Sequence, residues 1–141
     1  DFMIVSEQLD AVRRIMTEAG FTNVDIQENV AFFSVPGSSL RADFLRVNAD
    51  TLGKLLANAV VADVHGYRIK VPALKDLIAM KIFSLSRNPD LRMGKDLPDV
   101  AYLSAIHNLD LEQDIRPLCN RFGTVRTYEL IRAQLEAMKK T

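Results

Sequence analysis

The chain has 141 residues, of which 48% are hydrophobic and 26% are charged, a balance that excludes a disordered chain and a disulfide scaffold. Its length corresponds to about one domain with a core of its own. The 18 Lys and Arg residues cancel the 18 Asp and Glu residues, which excludes a global basic field that would attract nucleic acid.

Cysteine content and hydropathy bear on where the protein works. Its one cysteine, Cys119, excludes an intrachain disulfide and fits a reducing compartment. No run of the sequence approaches the roughly 18 apolar residues that a transmembrane helix needs. We therefore expect a cytoplasmic protein with no membrane partner. Because the chain starts at Asp1, directly before an apolar run, we also expect that a leader was removed or that a longer parent protein exists.

The first predicted elements are a strand and a helix. The apolar run Phe2–Val5 is typical of a short strand. Apolar residues then recur at helical spacing over residues 9–19, which predicts a helix. Ser6 is its predicted N-cap and Gly20 its predicted stop, because serine accepts from free N–H groups and glycine tolerates a positive φ.

Strands and turns continue as far as residue 71. Residues 30–35 and 40–47 predict two strands joined by a Pro-Gly-Ser-Ser turn of hairpin length. Residues 51–59 indicate a short helix. Strands over residues 60–64 and 67–71 flank a His-Gly pair, and a two-residue connection of this kind favours a second hairpin.

Helices dominate the second half of the chain. The predicted helices cover residues 73–85, 98–107, 111–122 and 125–139, and a polar loop over residues 86–95 follows the first of them. A Gly-Thr pair separates the last two helices as a stop and a cap. This order of elements predicts an α+β fold: a small mixed β-sheet packed with helices, followed by a helical C-terminal tail.

A charge that interrupts an apolar pattern is a candidate for function, because an unpaired buried charge costs several kcal/mol. Asp43 lies in the predicted strand over residues 40–47, where alternation places it on one face with Arg41 and Leu45. Aspartate is a poor strand former, so its carboxylate needs arginine, lysine, a metal or water there. The alternatives are a functional site and a structural salt bridge to Arg41 or to a cross-strand partner.

A second such charge is Lys81, in the predicted helix over residues 73–85. It falls in the middle of an apolar stripe formed by Leu74, Leu77, Ile78 and Leu85. Its stem can be buried while its ammonium reaches a carboxylate or a phosphate. The alternatives are extension into solvent and a structural ion pair. Lys75 lies off the stripe, and we expect it to be solvated.

The third candidate is a cluster of charges around the start of the helix at residue 98. Asp96 is the predicted N-cap, and Asp99 lies in the electropositive first turn. Helix capping alone would explain both acids. Arg92 and Lys95 precede them and could serve as ion-pair partners or as phosphate contacts.

Taken in order, these segments resemble a known family. The segments are Asp1-Phe2-Met3-Ile4-Val5, Ala42-Asp43-Phe44-Leu45, Val71-Pro72-Ala73-Leu74-Lys75-Asp76-Leu77-Ile78-Ala79-Met80-Lys81 and Arg92…Lys95-Asp96-Leu97-Pro98-Asp99-Val100. They resemble the nucleotidyltransferase superfamily with a polymerase-β-like core, in the minimal bacterial branch that includes the AbiEii-type toxins of toxin–antitoxin systems. The resemblance implies a nucleotidyltransferase-like core over residues 1–103, with C-terminal helices over residues 104–141 packed on the same domain.

The resemblance also implies an activity and a set of site residues. Members transfer an NMP group from an NTP to a hydroxyl acceptor, and carboxylates hold a divalent metal, usually Mg²⁺. Asp1 resembles the second acid of the family's Asp-x-Asp pair and Asp43 its third acid, so both would bind the metal. Lys81 would neutralise phosphate charge. Asp99 would complete the catalytic set.

The remaining parts of the resemblance concern the nucleotide and the partners. Arg92, Lys95 and Asp96 would join Lys81 in nucleotide binding. The implied partners are a nucleotide, a cognate antitoxin, an RNA acceptor and a second copy of the chain. The family's Gly-Ser helix and the first acid of its pair would precede Asp1, and neither is found in these 141 residues, which start where the second acid is expected. Two alternatives are therefore a catalytically inactive nucleotidyltransferase-fold module that binds or regulates, and a purely structural ion-pair network.

Overall fold

A computed structural model describes residues 1–139, whose strands and helices divide between two units, Asp1–Ala59 and a second that begins at Val60. Both units contain strands and helices, so the predicted mixed α+β fold is confirmed. The predicted division into a core over residues 1–103 and C-terminal helices over residues 104–141 stays a prediction.

The first unit is built on a four-stranded sheet. Its strands are β1 (Phe2–Val5), β2 (Asn23–Ile26), β3 (Val30–Ser34) and β4 (Arg41–Val47). Their order across the sheet is β1-β4-β3-β2, with β1 parallel to β4 and the other neighbours antiparallel. The sequence predicted all of these strands except β2, which has four residues and includes an Asn and an Asp. Both residue types are depleted in strands.

Two helices accompany this sheet, α1 (Leu9–Glu18) and α2 (Ala49–Asn58). The prediction that Ser6 caps α1 is wrong. Ser6 starts a short 3-10 turn that ends at Gln8, and Gln8 occupies the cap position instead. The predicted stop is confirmed, since Gly20 adopts a φ of +93° directly after the helix.

The core of the first unit lies on one face of the sheet. Its buried members are Ile4, Ala31, Phe33 and Phe44, and side chains of α1 pack against them. Because side chains alternate along a strand, their neighbours in sequence lie on the opposite face. That second face carries Asp25, Phe32 and Asp43, which occupy aligned positions on β2, β3 and β4.

The second unit begins with a hairpin of β5 (Val60–Val64) and β6 (Tyr67–Val71). This hairpin was predicted, and the backbone of its two turn residues explains why the chain reverses there. His65 and Gly66 have φ values of +53° and +84°. Two successive residues with positive φ define a tight turn whose twist matches that of the two flanking strands.

Helices form the rest of the second unit: α3 (Leu74–Arg87), α4 (Pro89–Arg92), α5 (Asp96–Ile106), α6 (Arg116–Phe122) and α7 (Val125–Met138). They enclose a core that includes Ile78, Ile82, Val100, Ile115, Cys119 and Ile131. The predicted polar loop over residues 86–95 contains α4. Pro89 can begin this helix, because proline lacks a backbone N–H and the first N–H groups of a helix have no partner within it. Within residues 1–139, no helix is both long and apolar enough to span a bilayer.

The predicted start of the last helix is confirmed, and the lone cysteine is a core residue. The Thr124 hydroxyl caps α7 by accepting from the backbone N–H of Thr127. Cys119 is fully buried in α6, and this burial raises the pKa of its thiol to about 11. A thiol that stays protonated at neutral pH is a poor nucleophile, which agrees with a packing role.

A glycine at the end of α6 allows the helices to approach closely. A Cβ added to Gly123 would lie 2.8 Å from Cγ2 of Ile82, a side chain that is fully buried in α3. We expect Gly123→Ala to lower the free energy of unfolding by about 1–3 kcal/mol through overpacking. Gly53→Ala is the control, since space around Gly53 in α2 is open and the change should stabilise the helix by about 0.5–1 kcal/mol. Chemical denaturation measures both, and equal effects would contradict the packing explanation.

Glu112 lies between α5 and α6, and its carboxylate bonds to a side chain of α6 and to one of α7. Glu112 accepts from the guanidinium of Arg116 and, at 2.7 Å, from the hydroxyl of Tyr128. These two bonds, that of Arg116 above all, lower the pKa of Glu112 from 4.5 to about 2. A lowered pKa in the folded state means that this contribution to stability is complete above about pH 4.5 and is lost toward pH 2. We expect Glu112→Gln to reduce the loss of unfolding free energy between about pH 4.5 and pH 2, as measured by denaturant titrations at several pH values. If the variant loses stability below pH 4.5 as steeply as the wild type, this prediction is contradicted.

Candidate functional site

The first candidate site lies on the open face of the four-stranded sheet, where Asp43 binds Arg41. Both residues belong to β4, two positions apart on the same face. Nε and Nη2 of Arg41 donate to the two carboxylate oxygens of Asp43 at 2.5 and 2.7 Å. Donating these hydrogen bonds to Asp43 raises the pKa of the Arg41 guanidinium. The salt bridge to Arg41, one of the alternatives for Asp43, is therefore present.

Strand pairing brings Asp1 next to Asp43. In the parallel pair of β1 and β4, Phe2 is opposite Phe44, so the residue before Phe2 falls beside the residue before Phe44. Neighbouring strands lie about 4.8 Å apart, and paired positions present their side chains on the same face. The two predicted metal ligands thus lie at adjacent backbone positions, Asp1 directly before the edge strand β1 and Asp43 within β4.

The row of paired residues that contains Asp43 continues across β3 and β2, to residues that the sequence analysis did not identify. Asp43 is opposite Phe32 on β3, and Phe32 is opposite Asp25 on β2. The Arg41 guanidinium lies 4.2 Å from the centre of the Phe32 ring and is also attracted by Asp25. The alternation of Val24, Asp25 and Ile26 was the available signal, but without β2 it could not be assigned to this face.

Carboxylates from two adjacent backbone positions are a donor set that suits Mg²⁺. This ion is usually held by one or two carboxylates together with substrate phosphates, rather than by a complete cage of protein ligands. Residues 1–139 contain no group of three or more His, Cys, Asp and Glu side chains that could hold a metal by themselves. Asp1 and Asp43 therefore fit a metal that arrives with a nucleotide better than a permanently bound metal.

The second candidate site lies in the helical unit, where α3 and α5 pack against each other. Lys81 has only 20% of its side chain exposed, because it sits in the apolar stripe of α3. Its Nζ lies 2.6 Å from Oδ2 of Asp99 and 3.5 Å from Oδ1 of Asp96. The lysine thus reaches two carboxylates, which was one of the two destinations predicted for its ammonium.

Asp96 is buried rather than capping α5, so the N-cap prediction is wrong. Lys95 occupies the cap position, and Asp96 turns into the protein with 6% of its side chain exposed. Its Oδ2 atom is buried and has no hydrogen-bond partner among residues 1–139. Nε of Arg92 lies 3.7 Å from this oxygen, which is an ion-pair distance but too long for a hydrogen bond. One acceptor position of a buried carboxylate is therefore open to a further donor.

The structure thus brings the predicted residues together in two groups. By strand register, Asp1 and Asp43 have adjacent backbone positions in the first unit, whereas Lys81, Arg92, Asp96 and Asp99 form one charge cluster in the second. Lys95 is exposed at the start of α5 and forms no ion pair within the described residues. That the two groups serve the same nucleotide stays a prediction.

Together these features define a class of protein. A small mixed sheet with carboxylates on its open face, followed by a helix-borne lysine and an Asp-x-x-Asp pair, resembles a minimal nucleotidyltransferase. The family model described as nucleotidyl transferase AbiEii toxin, type IV TA system, matches residues 9–140. The chain belongs to this family of nucleotidyltransferase-like toxins. Comparisons with curated proteins and with solved structures gave no significant match.

Proposed function

We propose that this protein is an active, metal-dependent nucleotidyltransferase that transfers an NMP group from an NTP to a hydroxyl acceptor, as the toxin of a toxin–antitoxin system. The observation that carries this proposal is the family match over residues 9–140, which includes Asp43, Lys81, Asp96 and Asp99. Asp1 precedes the matched residues, and its assignment rests on its position beside Asp43 on the neighbouring strand.

The carboxylates of the first unit would bind Mg²⁺ together with the nucleotide. When bound, the ion would neutralise charge on the phosphates and favour attack by a hydroxyl. Asp43 would present its carboxylate from β4, after release from Arg41, and Asp1 would present its own from the adjacent position. The Arg41 guanidinium would then be free to pair with a phosphate oxygen, for which its planar donors are well suited.

Lys81 would bind phosphate from the helical unit. The observations that support this role are that the Lys81 side chain is only 20% exposed in α3 and that its Nζ lies within 3.5 Å of Asp96 and 2.6 Å of Asp99. Asp96 and Asp99 would act as positioning residues for this lysine. Arg92, at the end of α4, and Lys95, directly before α5, would offer further positive charge to phosphates.

The reaction is an in-line displacement at the α-phosphorus. The acceptor hydroxyl oxygen forms a bond to phosphorus while the bond to pyrophosphate breaks, and the hydroxyl proton leaves for a carboxylate or for water. Positive charge at Lys81 and Arg92 would stabilise the negative charge that develops on the leaving pyrophosphate. An RNA hydroxyl is the proposed acceptor, a cognate antitoxin is the proposed regulatory partner, and the cytoplasm is the proposed location.

Thermal unfolding with nucleotide and metal tests this proposal directly. Mg²⁺ together with a non-hydrolysable NTP should raise the melting temperature of the full-length protein, and neither component alone should do so. All four bases are tried separately, since base preference is part of the result. If no combination shifts the melting temperature, the proposal fails.

One observation favours a second function, that of an inactive nucleotide-binding module. Arg41 engages both oxygens of Asp43, so the metal would have to compete with a bidentate salt bridge. An inactive module would bind the nucleotide and raise the melting temperature without releasing pyrophosphate. A coupled pyrophosphate assay with total cellular RNA as acceptor distinguishes the two functions, because only the active enzyme gives a signal above the sample that lacks RNA.

A further inference from the structure

An open cleft in the helical unit lies between the end of α3, the end of α6 and the start of α7. Its volume is about 360 Å³, at the lower end of the range for ligand-binding pockets. Arg87 and Arg121 line it together with the aromatic rings of Phe83 and Phe122. In the part of the chain that the structure describes, no acidic residue lines the cleft. The cleft is therefore a local positive site on a chain whose net charge is zero.

The charges of the two arginines are not neutralised by neighbouring acids. Neither Arg87 nor Arg121 forms an ion pair within residues 1–139, whereas Arg116 and Arg132 both pair with glutamates about one turn away. The guanidinium of Arg87 lies 5.3 Å from the centre of the Phe83 ring, and that of Arg121 lies 5.0 Å from the centre of the Phe122 ring. Contact with a ring orients a guanidinium while leaving its charge available to an anion.

The wall of the cleft is held by contacts between helices. The Ser86 hydroxyl lies 2.8 Å from the carbonyl oxygen of Phe83 and 3.3 Å from that of Phe122, which links α3 to the end of α6. Gly123 packs against the buried side chain of Ile82, with no room for a Cβ. Because this frame is ordered before any ligand arrives, less conformational entropy is lost on binding.

We propose that this cleft binds a short segment of single-stranded nucleic acid. Phe83 is 49% exposed and offers a ring on which a base can stack, while Arg87 and Arg121 bind neighbouring phosphates. An acidic peptide would use the two charges but would place no base on the exposed Phe83 ring. The combination of aromatic rings with unpaired guanidiniums is the chemistry that proteins use for single strands. The segment binds here whether or not the protein transfers nucleotides.

Fluorescence anisotropy with a labelled single-stranded oligoribonucleotide of about ten nucleotides tests the proposal. The double variant Arg87→Ala/Arg121→Ala should weaken binding about tenfold at low salt. It should also reduce the slope of log K against log salt by about 1.4, because each phosphate contact on a single strand contributes about 0.7. The control Arg13→Ala/Arg14→Ala removes the same charge from two exposed arginines of α1, and it should change neither quantity.

A second variant separates base stacking from charge. Phe83→Ala should weaken binding at least about fivefold and leave the salt slope unchanged. Polyglutamate of similar length should not compete with the oligoribonucleotide. Wild-type affinity in the double arginine variant, or equal competition by polyglutamate, would overturn the proposal. The shift in melting temperature with Mg²⁺ and NTP should persist in all these variants, so its failure would concern the nucleotidyltransferase proposal alone.

Discussion

Replacing Lys81 with Met should lower the free energy of unfolding by about 2–3 kcal/mol at neutral pH. The substitution keeps the apolar stem that packs in the stripe of α3 and removes the ammonium that lies between Asp96 and Asp99. Asp99 is 45% exposed and can be solvated, but Asp96 is only 6% exposed and would retain a single ion-pair partner, Arg92, at 3.7 Å. Removing one partner of a buried pair leaves an uncompensated charge in the interior, which costs about 3–5 kcal/mol when burial is complete.

The same helix provides a matched control for this prediction. Lys75 pairs with Asp114 at 2.7 Å, but its side chain is 62% exposed, as expected for a residue off the stripe. Lys75→Met should therefore cost at most about 1 kcal/mol. In the Lys81→Met background, Asp96→Asn should recover part of the lost stability, because a neutral amide replaces the stranded charge. Equal losses at the two lysines, or no recovery, would contradict a buried ion pair at Lys81.

Local sequence signals predicted most of the elements, because each signal acts within a few residues. The two-residue turn at His65 and Gly66, the stop at Gly20 and the cap at Thr124 all occur where the sequence placed them. In each case the backbone conformation required is one that few residue types adopt or satisfy. Signals of this kind do not depend on what lies across the core.

Asp96 shows where local signals fail. Its position before Leu-Pro-Asp is typical of an N-cap, and capping would keep the carboxylate at the surface. In the structure Lys95 takes the cap position and Asp96 is buried near Lys81, a residue fifteen positions earlier in the chain. Only the packing of α3 against α5 makes that burial possible, and no local pattern specifies how two helices pack.

The candidate sites show the same difference between local sequence signals and long-range packing. The sequence identified Asp43, Lys81 and Asp99 because each charge interrupts an apolar pattern. The register that places Asp1 beside Asp43 depends on parallel pairing between strands about forty residues apart, which no turn sequence encodes. The cleft with Arg87 and Arg121 was not predicted either, since an unpaired surface arginine has no distinguishing sequence pattern.

Two substitutions on β4 should change metal affinity in opposite directions. Asp43→Asn should weaken binding of Mn²⁺, used as a spectroscopic substitute for Mg²⁺, by about a hundredfold, because a metal ligand matters at least as much as the groups that support it. Arg41→Gln should strengthen binding by up to about tenfold, because it frees the carboxylate and removes a positive charge close to a divalent ion. Electron paramagnetic resonance titration of Mn²⁺ measures both affinities without any need for turnover.

The opposite signs separate a metal site from a structural salt bridge. If Arg41 and Asp43 only stabilise the sheet, both substitutions remove the same contact, lower stability alike and leave Mn²⁺ binding unchanged. If Asp43 is a ligand, only Asp43→Asn abolishes the rise in melting temperature with Mg²⁺ and NTP, whereas Arg41→Gln retains it. Asp10→Asn, which neutralises an exposed acid in the first turn of α1, controls for the loss of one negative charge and should leave Mn²⁺ affinity as it is. Equal Mn²⁺ affinities in the three variants and the wild type would exclude Asp43 as a metal ligand.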